Sequence, residues 1–133
     1  MNASQISHLI DTKTFRETLP NTEVRYLYRD ACNYKQSAQA VLEGALPLEQ
    51  AIAVTSALDD NCWFVPSGVG LEDLQERFGT GWDKDADHLF HELVALSLTE
   101  AEATEQETAQ TFHDRFLAAD WAQDEASVMT RYA

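Results

Sequence analysis

The side chains best suited to chemistry crowd into one stretch, Val24–Lys35, which carries Tyr26, Tyr28, Arg29, Asp30, Asn33, Tyr34 and Lys35. It holds three of the four tyrosines and three of the nine basic residues of a chain whose net charge is −14. Phenols, a guanidinium, a carboxylate and an amide in so short a segment can do two things. They can bond one another and the backbone to stiffen a turn, or face outward and recognise a partner. A second group, Asp83, Asp85 and Asp87, has the alternate spacing that opens a calcium loop. Counted from Asp83, however, the sixth position is His88 where the sharp turn needs glycine, and the twelfth is Val94 where a bidentate glutamate belongs. His88, His91 and Glu92 do not make a zinc motif either. The histidines are three apart with the glutamate outside them, and on an extended strand they point to opposite faces. His88 and Glu92 share a strand face but stand roughly 13 Å apart.

Weaker patterns add nothing. His113–Asp114 is a loose pair, Gly68–Val69–Gly70 lacks the third glycine of a phosphate loop, and Ser67 lacks the flanking glycine of a nucleophile elbow. Cys32 lies between Arg29 and Lys35, which can lower a thiol pKa, although a free cysteine more often acts as a small hydrophobe. The expectation is no catalytic residue, no cofactor and no metal ion.

Charge is unevenly distributed. Up to Leu58 there are six acids and five bases; from Asp59 onward there are 17 acids and four bases. Such a field repels nucleic acid and anionic lipid and attracts basic proteins. No run approaches the roughly 18–20 apolar residues of a membrane helix. Met1–Ile10 lacks the marks of a secretory signal, so a cytoplasmic protein with reduced Cys32 and Cys62 is expected.

The elements that must position these residues follow from periodicity. Strands are expected near 23–29, 35–43, 62–66 and 88–98, and helices near 4–16, 47–58, 71–78 and 104–119, with 121–129 a further short helix or packed tail. The first two strands form a hairpin turned by Asp30–Asn33. Residues 88–98 also fit a helical stripe through Leu89, Phe90, Leu93 and Val94, but Leu96 and Leu98 then fall badly, which favours a strand. Thr104 with Glu107 three residues on has the capping-box pattern of a helix start. Together these give a single α+β domain over 1–133, a small, mostly antiparallel sheet packed against helices.

The string Tyr-Leu-Tyr-Arg-Asp-Ala-Cys-Asn-Tyr-Lys at 26–35, followed by Phe64–Val65–Pro66, Gly70–Leu71 and Asp87–His88–Leu89–Phe90–His91–Glu92, resembles a family of short bacterial and mobile-element proteins. The resemblance spans roughly 24–100 and leaves out the acidic segment after Thr99. That family has no established activity, so the resemblance implies the hairpin and not a reaction.

The function expected on this basis is a non-enzymatic protein-binding module that meets a basic protein surface. Inhibitors, DNA mimics and immunity proteins work in this way, with carboxylates standing where phosphates would. The residues expected to bind are Tyr26, Tyr28, Arg29, Asp30, Asn33, Tyr34, Lys35, Asp83, Asp85, Asp87, Glu100, Glu102 and Glu105. Two alternatives stand beside it. One is a small enzyme or small-molecule domain built on Tyr28, Arg29, Asn33 and the His88–Glu92 strand; the other is an oligomeric subunit with Trp63, Trp82 and Trp121 at an interface.

Overall fold

The structure, a computed structural model, describes residues 8–79 and 81–129. Its fold is α+β. Four antiparallel strands, β1 (Asn21–Arg29), β2 (Lys35–Glu43), β3 (Trp63–Phe64) and β4 (His91–Thr99), form one sheet in the order β2-β1-β4-β3. Among the described residues three α-helices of a turn or more accompany it: α1 (Leu48–Ser56), α2 (Ala109–Ala118) and α3 (Trp121–Met129).

β1 owes its place to strict alternation. Thr22, Val24, Tyr26 and Tyr28 are buried, while Arg25 is exposed. β2 pairs with it from Asn21↔Glu43 to Arg29↔Lys35 without a break. The buried face packs Val24, Tyr26, Tyr28, Leu42, Leu93 and Leu96 against Ala51 and Val54 of α1 and Phe112 and Phe116 of α2. Removal of that apolar surface from water is the main force joining sheet to helices.

β4 answers the helix-or-strand ambiguity of its sequence. It is a strand, beginning at His91 and not at 88, and the register slips between Arg25↔Ala95 and Tyr26↔Leu93. Val94 is therefore an extra residue, a β-bulge. His91 and Leu93 before it and Leu96 and Leu98 after it all point inward, while Val94 is 45% exposed. A bulge resets the two-residue period, so no single alternation could fit the whole segment.

Other boundaries move for local reasons. The expected strand at 62–66 shrinks to Trp63–Phe64 because Pro66 opens a 3-10 turn, Pro66–Val69. The short β3 leaves the far half of β4 open, and the N-terminal segment fills it. Ile10 bridges Leu96, Asp11 N–H donates to the Leu96 carbonyl, and the Thr14 hydroxyl accepts from Leu98 N–H. Of the helix expected at 4–16, residues 4–7 lie outside the described residues, His8 and Leu9 are helical, and the helix does not continue: Ile10 bridges β4 and a separate 3-10 turn follows at Thr14–Arg16.

The expected helix 71–78 is a 3-10 turn at Leu74–Phe78, opened by Asp73 accepting from Gln75 N–H. The helix expected from 104 starts at Ala109, where the Thr108 side chain accepts from Thr111 N–H. Thr104 does other work. Its N–H donates to the Val41 carbonyl and its hydroxyl accepts from Val41 N–H, sealing part of the free edge of β2.

Candidate functional site

The turn between β1 and β2 is built by the residues that the sequence marks for it. One Asp30 carboxylate oxygen accepts from both Cys32 N–H and Tyr34 N–H, at 2.9 Å each. Asn33 takes a left-handed φ of 68°, which asparagine tolerates better than most side chains. Ala31 N–H donates to the Ala86 carbonyl at 2.9 Å, docking the turn on the 83–88 loop.

Tyr26 and Tyr28 belong to the core. Both rings are buried, and their hydroxyls donate inward, Tyr26 to the Glu72 carbonyl at 2.9 Å and Tyr28 to Asp87 Oδ1 at 2.6 Å. Burial first, and then the neighbouring carboxylates, holds both phenols above their ordinary pKa. Neither ring is presented to a partner.

Asp87 is the hub of this end of the sheet. Besides Tyr28, it accepts from Gln75 Nε2 at 3.0 Å and from Asp83 N–H at 2.8 Å. Asp83 in turn accepts from Asp85 N–H. The carboxylates of Asp83 and Asp87 thus tie the loop, with Asp85 donating its backbone N–H, and among the described residues no group of metal-ligating side chains is gathered.

The alternative constellation does converge. Arg29 Nε donates to Glu92 at 3.0 Å and Nη1 to Asn33 Oδ1 at 2.5 Å, while His88 Nε2–H donates to the Arg29 carbonyl at 2.8 Å. These groups bond one another. His91 lies beneath, wholly buried, with Nδ1–H donating to the Leu89 carbonyl at 2.9 Å and Nε2 accepting from Leu74 N–H at 3.1 Å. Burial first lowers its pKa from 6.5 to about 4, so the ring is neutral at physiological pH.

The acidic residues do not form one face. Glu72, Glu92 and Glu107 each pair with an arginine, and Asp73 and Asp120 accept from backbone N–H groups, at the start of the Leu74–Phe78 turn and of α3. Asp83, Asp85 and Asp87 sit with the β1–β2 turn. Glu100, Glu102 and Glu105 sit at the other end of the sheet, where Asn21 donates to the Ala101 carbonyl and Glu105 N–H donates to the Val41 carbonyl. Eight residues of strand separate the two ends, about 26 Å at 3.3 Å per residue.

Four of the expected residues nevertheless share a concavity. Asp30, Tyr34, Asp83 and Asp87, with Cys32, Phe78 and Ala86, line a cleft of about 330 Å³ between turn and loop. Tyr34 is 67% exposed at its rim. No lysine or arginine is among the lining residues. The contribution of Phe78, which packs edge-on against Tyr28, was hidden in the sequence because it reads there only as the last apolar residue of a short helix.

Comparison with protein-family models, with curated proteins and with solved structures finds no match.

Proposed function

We propose that this chain is a non-enzymatic protein-binding module that engages a basic protein through the turn end of its sheet, in the manner of an inhibitor, a nucleic-acid mimic or an immunity protein encoded on a phage or mobile element. The observation that carries the reading is the cleft in which Asp30, Asp83 and Asp87 meet Tyr34 and Phe78, with no lysine or arginine among its lining residues. Carboxylates held by backbone bonds are pre-oriented, so a cationic partner meets them without the entropy cost of ordering loops. Tyr34 and Phe78 supply apolar contact beside the carboxylates.

The negative charge left over by the internal ion pairs has a kinetic role in this reading. Arg25, Arg29, Arg77 and Arg115 are each engaged by a glutamate of the same chain, so they add little positive potential to oppose an approaching cation. Association is then fast and salt-sensitive.

The test is capture from host lysate by the tagged full chain at low salt and at 0.5 M salt, beside the double variant Asp30→Asn, Asp83→Asn. Asparagine keeps the acceptor each turn uses and removes only the charge. A basic protein retained by the native chain at low salt, released at high salt and poorly held by the variant supports the reading. A partner that is acidic, or that binds equally at both salts and to both chains, contradicts it.

A further inference from the structure

A second concavity lies where residues 88–90 meet the start of β3. Asp59, Trp63, His88 and Phe90 line a shallow cleft of about 330 Å³. Its walls are aromatic and are fixed by neighbouring structure. The Trp63 and His88 rings stand 6.4 Å apart between centroids at 86°, two faces of a corner. The His88 ring is oriented by the bond that its Nε2–H donates to the Arg29 carbonyl. Trp63 is held by β3, where it pairs with Glu92, and by a bridge to Asp59 in which each residue's N–H donates to the other's carbonyl, at 2.8 and 2.9 Å. That bridge fixes Asp59 beside the indole.

The backbone here is unusual. Asp60 and Asn61 are consecutive non-glycine residues in the left-handed region, at φ 50° and 59°. Side chains other than glycine enter that region at a cost, least for Asp and Asn, and such turns are kept where the chain must place its flanking residues closely. The flanking residues are Asp59 and Trp63.

The electrostatics complement the shape. Asp59, which lines the cleft, and its neighbour Asp60 are both exposed, and Glu92 of β4 stands opposite Trp63. Arg29, the cation paired with that Glu92, is occupied by Glu92 and Asn33. The adjacent Cys62 thiol senses the balance: burial raises its pKa most, and Glu92 and Asp60 raise it further against an opposing Arg29. A cleft with aromatic walls, a carboxylate at its lip and no lysine or arginine of its own matches what recognises a positively charged side chain, whose attraction to aromatic faces adds to its ion pair.

We infer that the Asp59–Trp63–His88–Phe90 cleft is the socket for one arginine or lysine side chain of the basic protein partner, the cation lying against Trp63 and paired with Asp59. The inference rests on the proposed function and gives it a specific point of attachment.

The experiment titrates the ¹⁵N-labelled full chain with N-acetyl-arginine amide, N-acetyl-lysine amide and the uncharged N-acetyl-norleucine amide, reading the indole N–H resonance of Trp63, assigned by Trp63→Phe. A saturable shift is expected with the two cations and not with norleucine, weakened about three- to fivefold in Asp59→Asn and in Phe90→Leu. Both variants must keep the native spectrum elsewhere, which separates loss of the socket from loss of the fold. No saturable shift with either cation, an equal shift with norleucine, or an affinity unchanged in Asp59→Asn each overturns the socket. A decalysine titration in the same samples separates the two levels. Decalysine binding without the Trp63 response removes the socket alone, whereas no decalysine binding removes the basic-partner reading itself.

Discussion

Protonation of His91 is where this fold meets acid. The ring is fully buried, its Nδ1–H is spent on Leu89, and its Nε2 lone pair receives Leu74 N–H. A second proton on Nε2 would face that N–H donor directly, forcing the Leu74–Phe78 turn away. The charged or titratable groups facing the ring are Asp73, whose Oδ1 is 3.6 Å from Nε2, the phenols Tyr26 and Tyr28, and His88. The sign follows from the lowered pKa. Above 6.5 the ring is neutral in folded and unfolded chains alike, and its contribution to stability is fully present. As pH falls from 6.5 toward about 4, the unfolded chain takes the proton and the folded chain does not, so stability is lost. At about 1.4 kcal/mol per pH unit, the loss is about 2 kcal/mol by pH 5 and about 3 kcal/mol by pH 4. Urea unfolding at pH 7, 6 and 5 measures it, with His91→Gln as control, since glutamine can keep one donor and one acceptor but does not titrate. The carboxylates titrate in both chains and cancel in the difference. The native chain should therefore lose about 2 kcal/mol more than the variant between pH 7 and pH 5. Parallel pH profiles would refute the reasoning, because they would mean that the folded chain accepts the proton as readily as the unfolded one.

Further outcomes follow from the same structure. Val94→Ala should change urea stability by less than about 0.5 kcal/mol, while Leu96→Ala two positions on should cost about 2–5 kcal/mol; equal costs would contradict the bulge. Tyr28→Phe leaves Asp87 without its 2.6 Å donor and should cost about 1.5–3 kcal/mol by thermal or urea unfolding. Thr108→Ala should cost about 1 kcal/mol through loss of the α2 cap, with far-UV circular dichroism reporting the loosened helix. Gly70→Ala forces a side chain to φ +83° with Glu107 Cγ 3.0 Å from the new carbon, and should cost at least about 1 kcal/mol in the same unfolding assay.

What the sequence reveals and what it conceals have physical causes. β1 and β2 are legible because alternation along Val24–Arg29 and the turn chemistry of Asp30 and Asn33 are both local. β4 is legible as a strand only in part. The bulge at Val94 needs knowledge of which β1 residues stand opposite, and that is a long-range fact. Thr104 satisfies the local rule for a helix cap, yet it serves the edge of β2 instead, 63 residues away in the chain. The candidate site divides in the same way. Asp30, Tyr34, Asp83 and Asp87 are visible as residue types, and the fold brings them to one cleft. Tyr28 reads locally as a group free to bind a partner because Asp87, which its hydroxyl engages, is 59 residues distant. Trp63, His88 and Phe90 carry no spacing that predicts a shared wall; the one local hint is the Asp59–Asp60–Asn61 turn just before Trp63.

The central claim is that negative charge acts at the turn end of the sheet and not simply through the total of −14. Calorimetric titration of decalysine into three chains at 50 and 500 mM salt tests it: native, Asp30→Asn with Asp83→Asn, and Glu100→Gln with Glu102→Gln. The two variants remove the same charge from opposite ends. The account predicts binding that falls steeply with salt, weakened several-fold by the aspartate pair and almost unchanged by the glutamate pair. Equal weakening by both pairs, or binding indifferent to salt, would contradict it.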